Sequence, residues 1–141
     1  MLFRSEALKR ALLAAKTVAH AAPSGGSITA AHIQGVFQRL GIAAEVTPKV
    51  RLAAGGPNGR VSVLVSSGEA EIGLQQVSEL MSNPDVEVIG MLPAQLRLTT
   101  IYSAGVTTSA SEPEAAKALI KALTAPSAAA IYKAKGLDPV W

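Results

Sequence analysis

Apolar residues along this chain switch between the spacing of helices and that of strands. Ser5 stands where a helix cap belongs, and Leu8, Leu12 and Leu13 follow as an apolar face, so a helix is expected from Ser5 to about Lys16. Thr17 to His20 reads as a short strand, and Ala21 to Ser27, with Pro23, Gly25 and Gly26, as a loop. Ser27 is the cap candidate of a second helix. Its Ile33, Val36, Phe37 and Leu40 keep the i, i+3, i+4, i+7 spacing of a buried stripe, and Gly41 sits where a left-handed residue would end it. Ala43 to Lys49 reads as a connector and Val50 to Leu52 as a strand. Val61 to Val65 has two readings. Its β-branched residues favour a strand, whereas the flanking Pro57 and Gly68 favour a helix start and stop.

Further on, Glu71 to Gln75, Val86 to Met91 and Leu98 to Ala104 read as strands, with a turn at Ser82 to Asp85. Ser111 and Glu114 have the S-x-x-E spacing of a capping box, opening a helix with the stripe Ala116, Leu119, Ile120 and Leu123. Pro126 opens a last helix that ends in Lys133, Lys135 and Gly136, where cations suit the helix dipole. The tail Leu137 to Trp141 is expected to pack back. Strands alternating with helices predict an α/β fold with a mainly parallel sheet.

One stretch is more informative than the rest. Gly55, Gly56, Pro57, Asn58 and Gly59 form a Gly-rich turn, and the run Gly68-Glu69-Ala70-Glu71-Ile72-Gly73-Leu74-Gln75-Gln76 follows shortly after. Together they suggest a turn feeding a helix, a stop at Gly68, and a short strand ending in paired amides. Open α/β sheets bind ligands at the carboxyl ends of strands and near helix N-termini. Small and polar residues fall at those places here.

Composition narrows the function. The chain has 141 residues, 49% hydrophobic and 4% aromatic, a net charge of +3 and no cysteine. Disulfides, thiol nucleophiles and cysteine metal sites are excluded. The basic residues are scattered and not interleaved with aromatics, which argues against nucleic acid. No apolar run approaches the roughly 20 residues of a membrane span, so no membrane insertion is expected.

Several residues invite chemistry. Ser24-Gly25-Gly26-Ser27 reads either as a loop that wraps an anion or as an ordinary capped loop, and the residues alone leave both open. Asn58, Gly59 and Arg60 are equally divided between a ligand contact and a plain turn. Gln75 and Gln76 point to opposite faces unless the strand ends there. His20, near a strand end, reads as a packed or surface histidine before it reads as a ligand donor. His32 reads as structural. Glu69 and Glu71 flank a strand start, where capping or solvation is the common role. There is no G-x-S-x-G elbow, P-loop or dinucleotide fingerprint, so no enzyme activity and no cofactor is expected.

Four stretches in order resemble the type 2 periplasmic solute-binding proteins, and most closely their molybdate-binding branch. They are Leu8-Lys9-Arg10-Ala11-Leu12-Leu13 leading into Lys16-Thr17-Val18-Ala19; Val65 to Gln76, similar to "V-x-x-G-E-A-E-I-G-x-x-Q"; Val86 to Pro93, similar to "V-E-V-I-G-x-L-P"; and Tyr102-Ser103-Ala104-Gly105 followed by Ala115 to Ile120 and Ala134-Lys135-Gly136-Leu137. The resemblance implies two α/β lobes around a ligand cleft, periplasmic or extracellular location of the full-length protein, and delivery of solute to an ABC transporter permease. It implies a helix at Val61 to Val65. It assigns residues 17–98 to the second lobe, residues 1–16 to a helix leading into it, and residues 99–141 to a crossover strand and helices of the first lobe. Most of that first lobe would then be absent, and Met1 is expected not to be the biological start.

Such proteins hold an oxyanion with neutral donors. Carried over, the ligand-binding residues are Ser24, Gly25, Gly26, Ser27, Asn58, Gly59 and Gln76. The branch's tyrosine falls on Gln76, which points to a related oxyanion or a small organic anion besides molybdate. The alternative is a lone α/β interaction module that dimerises through the surface meant for its missing partner and binds no solute.

Overall fold

Three buried residues in a row, Val18, Ala19 and His20, mark strand β1 (Val18–Ala21) as the centre of a sheet. In this computed structural model, which describes residues 5–23, 27–56 and 59–141, β1 pairs in parallel with β2 (Val50–Ala53) on one side and β3 (Ile72–Leu74) on the other. The order is β2-β1-β3, and the register sets His20 between Leu52 and Leu74. A parallel strand covered on both faces needs apolar residues at successive positions, which is what β1 supplies.

Alternation along β1 sends Val18 to one face and Ala19 to the other. On the Val18 face lie helices α1 (Ser5–Ala14), α2 (Ile28–Arg39) and α3 (Ala43–Val46), which contribute Leu8, Leu12, Ile33, Val36, Phe37 and Val46 to the larger core. Leu13 departs from the expected face. It is exposed, because one residue along a helix turns the side chain by about 100° from Leu12. On the Ala19 face, α4 (Val61–Ser66) packs Val61 against Ala19, Ala53 and Ala70.

The two readings of Val61 to Val65 therefore resolve as helix. Gly68, at φ 80°, ends α4 in the left-handed region. The Ala70 amide then returns to the Leu64 carbonyl at 2.9 Å. Gly73 of β3 explains the next glycine of the run. A Cβ there would lie 2.7 Å from Val61 Cγ1 and 2.9 Å from Val65 Cγ2, so only glycine lets α4 lie this close to β3.

Polar groups staple the elements. Lys49 Nζ donates to the carbonyls of Leu13 and Ala15, each at 2.7 Å, satisfying orphan acceptors in the last turn of α1 and just past its end. The exposed Glu71 accepts the Lys16 amide at 2.7 Å, beside the strand start where capping or solvation was expected of it. His32 is structural as read, since its Nε2–H donates to the Leu96 carbonyl at 2.8 Å. With Arg39 donating to the Gln95 carbonyl and Gln95 to Ser5 Oγ, it ties the 3₁₀ turn Ala94–Leu96 to α1 and α2.

Four expectations are corrected. Among the described residues, Val86 to Met91 and Leu98 to Ala104 form no strand element, with only a bridge residue at Met91, because strand propensity needs a neighbouring ladder to become a strand. The Ala43 to Lys49 connector holds α3 and a 3₁₀ turn at Thr47–Lys49. Finally, Ser111 caps nothing. The helix α6 (Pro113–Leu123) has Glu112 as its N-cap, without a side-chain cap bond. Pro113 fixes the first helical position and forces the preceding residue out of the helical region. Glu114 instead pairs with Lys117 at 2.8 Å.

The chain divides into two units, one ending at Leu98 and the other Thr99–Trp141. The second carries α6, a 3₁₀ turn at Pro126–Ala128 and α7 (Ala129–Ala134). Its tail does return, with the Trp141 ring edge-on to Tyr132 at 5.3 Å. Neither α6 nor α7 buries a residue, and Leu119 and Leu123 of the expected stripe are 60% and 44% exposed.

Candidate functional site

The three strands among the described residues run the same way, so the segments that follow them emerge at one edge of the sheet. After β1 comes the loop to Ser27, after β2 the Gly55–Gly59 turn, and after β3 the pair Gln75 and Gln76. Every candidate ligand residue read from the sequence lies on one of these three connections. Ser24, Gly25, Gly26 and Asn58 lie outside the described residues. Ser27, Gly59 and Gln76 are described.

Ser27 is the N-cap of α2, its hydroxyl accepting the Ala30 amide at 3.2 Å. The first turn of α2 has no acidic residue. Its orphan amides and the partial positive charge of the helix end therefore face no competing carboxylate of their own helix. β3 ends at Leu74, which frees Gln76 from strand alternation and places it at the N-cap of the short α5 (Val77–Leu80). The Gln76 amide donates to Gln75 Oε1 at 2.9 Å, and its side-chain Nε2 donates to Thr29 Oγ1 at 3.2 Å. That second bond brings Gln76 onto the first turn of the helix that Ser27 caps.

Gly59 holds the neighbouring turn. Its carbonyl accepts the Gly55 amide at 2.9 Å, and Gly55 and Gly56 take φ values of 87° and 75°. A Cβ on Gly59 would collide with the Gly55 carbonyl oxygen. The turn's tightness thus depends on glycine at both ends. Arg60 is the exposed N-cap of α4 and makes no side-chain cap bond.

The residue that sequence reasoning missed is Thr29. Its signal was only a hydroxyl two places after a capping serine, which by itself is common. His20 is buried at 2% exposure, packed edge-on to Phe37, in keeping with a packed histidine. Among the described residues, no group of three or more His, Asp or Glu is placed to hold a metal. No described helix is long and apolar enough to cross a membrane.

A parallel α/β lobe with its polar loops at the carboxyl edge is the architecture of a ligand-binding lobe, and comparison with known proteins identifies the class. The chain belongs to the bacterial extracellular solute-binding protein family, which matches residues 5–138. Among curated proteins it is similar to an aconitate isomerase from Pseudomonas sp, 33% identical over 135 residues, covering 96% of this chain and 49% of the relative. The chain spans about half the length of that relative. No solved structure matches it.

Proposed function

We propose that this chain is the second lobe of a solute-binding protein, with the segment from Thr99 returning to the first lobe, and that it supplies half of an anion site. The half-site is the first turn of α2 with Ser27, Gln76 and Gly59, and we include Ser24, Gly25, Gly26 and Asn58 from the sequence resemblance alone. The observation that carries this reading is the Gln76–Thr29 bond, which sets a neutral amide beside a capped helix N-terminus. Neutral donors at a helix end can hold an anion without a cationic side chain.

The ligand we favour is a small carboxylate rather than molybdate. Gln76 stands where the molybdate-binding branch has tyrosine, and the relative's name refers to aconitate, a small polycarboxylate. In the whole protein, a second lobe would close over the anion, exclude water and strengthen each hydrogen bond. Delivery to an ABC transporter permease at the outer face of a membrane then follows as the protein's task.

Isothermal calorimetry with aconitate, citrate, molybdate, tungstate and sulfate tests this. Carboxylates should bind this chain with a Kd on the order of millimolar, about 4 kcal/mol, and bind the two-lobed protein far more tightly. Preference for molybdate or tungstate would return the ligand to the oxyanion reading. Binding of none, even by the two-lobed protein, would remove the site.

A second reading is favoured by the relative's name alone: the site isomerises the carboxylate it binds. We favour binding, because Ser27, Thr29 and Gln76 offer no side chain suited to abstracting a carbon-bound proton at neutral pH. Incubation with cis-aconitate, followed by proton NMR for the trans isomer, separates the two.

A further inference from the structure

A groove of about 320 Å³ opens between α2, the α3–Thr47 segment and strands β1 and β2. None of the residues lining it is Ser27, Thr29, Gly59 or Gln76. The α2 residues that line it, Gln34, Phe37 and Gln38, begin five positions beyond Thr29, roughly 7 Å further along the helix axis. His20 lines the groove and is 2% exposed. Its Nδ1 lies 2.7 Å from the Ala21 carbonyl oxygen. A carbonyl only accepts, so Nδ1 carries a hydrogen, and in the tautomer with that single ring hydrogen Nε2 is an acceptor. Among the described residues none donates to that Nε2.

The other walls define what would. Phe37 packs edge-on against the imidazole, with ring centres 5.9 Å apart, and fixes its orientation. The Thr47 hydroxyl donates its hydrogen to the Ala43 carbonyl at 2.6 Å, so toward the groove it too is an acceptor. Val50 and Leu52 add apolar surface, Gln34 and Gln38 add neutral amides at the α2 wall, and among the described residues no charged side chain lines the groove. A charged ligand would lose hydration here without a counter-charge. The volume is at the lower end of those of small-molecule sites.

We propose that this groove is a second ligand site, for a small uncharged molecule with an apolar body and one O–H or N–H donor. The donor meets His20 Nε2, and the body lies on Phe37, Val50 and Leu52.

Phenol and toluene test the site on the full chain, since they share a shape and differ in one hydroxyl. Long-range proton–nitrogen NMR of the histidine rings reads Nε2 directly. Phenol should shift His20 Nε2 saturably and leave His32 unmoved, and it should bind about tenfold more tightly than toluene, the worth of one hydrogen bond. His20→Phe keeps a ring and removes the acceptor, so the two probes should then bind alike. If that variant does not fold, the comparison on the unaltered chain decides by itself. Equal binding of the two probes, or no His20 shift with phenol at about 20 mM, overturns the proposal. Saturating citrate should leave phenol binding unchanged, so failure of one site is distinguishable from failure of the other.

Discussion

Gln76 and Thr29 are 47 positions apart, yet the Gln76 side chain donates to the Thr29 hydroxyl at 3.2 Å. The bond joins the end of β3 to the first turn of α2. It draws two of the three connections at the carboxyl edge of the sheet into one polar cluster. Gln76→Ala removes it. The expected cost in stability is about 1 kcal/mol, because Gln76 and Thr29 are only partly buried. The expected cost in carboxylate affinity is about tenfold. Calorimetry and a urea melt on the same variant separate the two effects, and unchanged affinity would take Gln76 out of the site.

Gly73→Ala tests the packing of α4 on β3. The new methyl would overlap Val61 Cγ1 and Val65 Cγ2. Overpacking of this kind costs typically about 1–3 kcal/mol. Pairing it with Val65→Ala should recover part of the loss. A urea melt with no change for Gly73→Ala would mean that α4 sits further from the sheet.

Lys49→Met keeps the aliphatic stem and removes two hydrogen bonds to the carbonyls of Leu13 and Ala15. Loss of about 1–2 kcal/mol is expected, with earlier amide exchange in α1 than in α2. Equal exchange protection in both helices would contradict this role.

The stripe on α6 predicts association. Leu119 and Leu123 are exposed, and contiguous apolar surface of several hundred Å² favours contact with another chain. Light scattering at increasing concentration should show oligomers, and Leu119→Glu with Leu123→Glu should reduce them. Monomeric behaviour of the unaltered chain at high concentration would contradict this expectation.

The sequence carried the helices and the central strands because their signals are local. Ser27 and Gly41 bracket α2 chemically, and the Ile33, Val36 and Phe37 stripe is buried as its spacing demands. Helix α4 was harder, since Val61, Val63 and Val65 carry strand propensity against the flanking Pro57 and Gly68, and it was the family resemblance that added weight to the helix. Strand readings at Val86 to Met91 and Leu98 to Ala104 failed for a non-local reason: a strand needs a continuous ladder, and among the described residues these segments show no more than a bridge at Met91. Helix α3 was missed although Ile42 and Val46, both buried, stand four apart. Of the site, the glycines and Ser27 could be read from turn and cap chemistry, whereas Thr29 became visible only through its contact with Gln76.

In the function proposed above, the first turn of α2 and Gln76 hold a small carboxylate. A proton–nitrogen NMR titration of this chain with citrate tests it most directly. The amides of Thr29 and Ala30 and the side-chain amide of Gln76 should shift together along one saturation curve, while α7 stays unmoved. Shifts confined to other residues, or none at citrate concentrations up to about 50 mM, ten or more times the expected Kd, would contradict it.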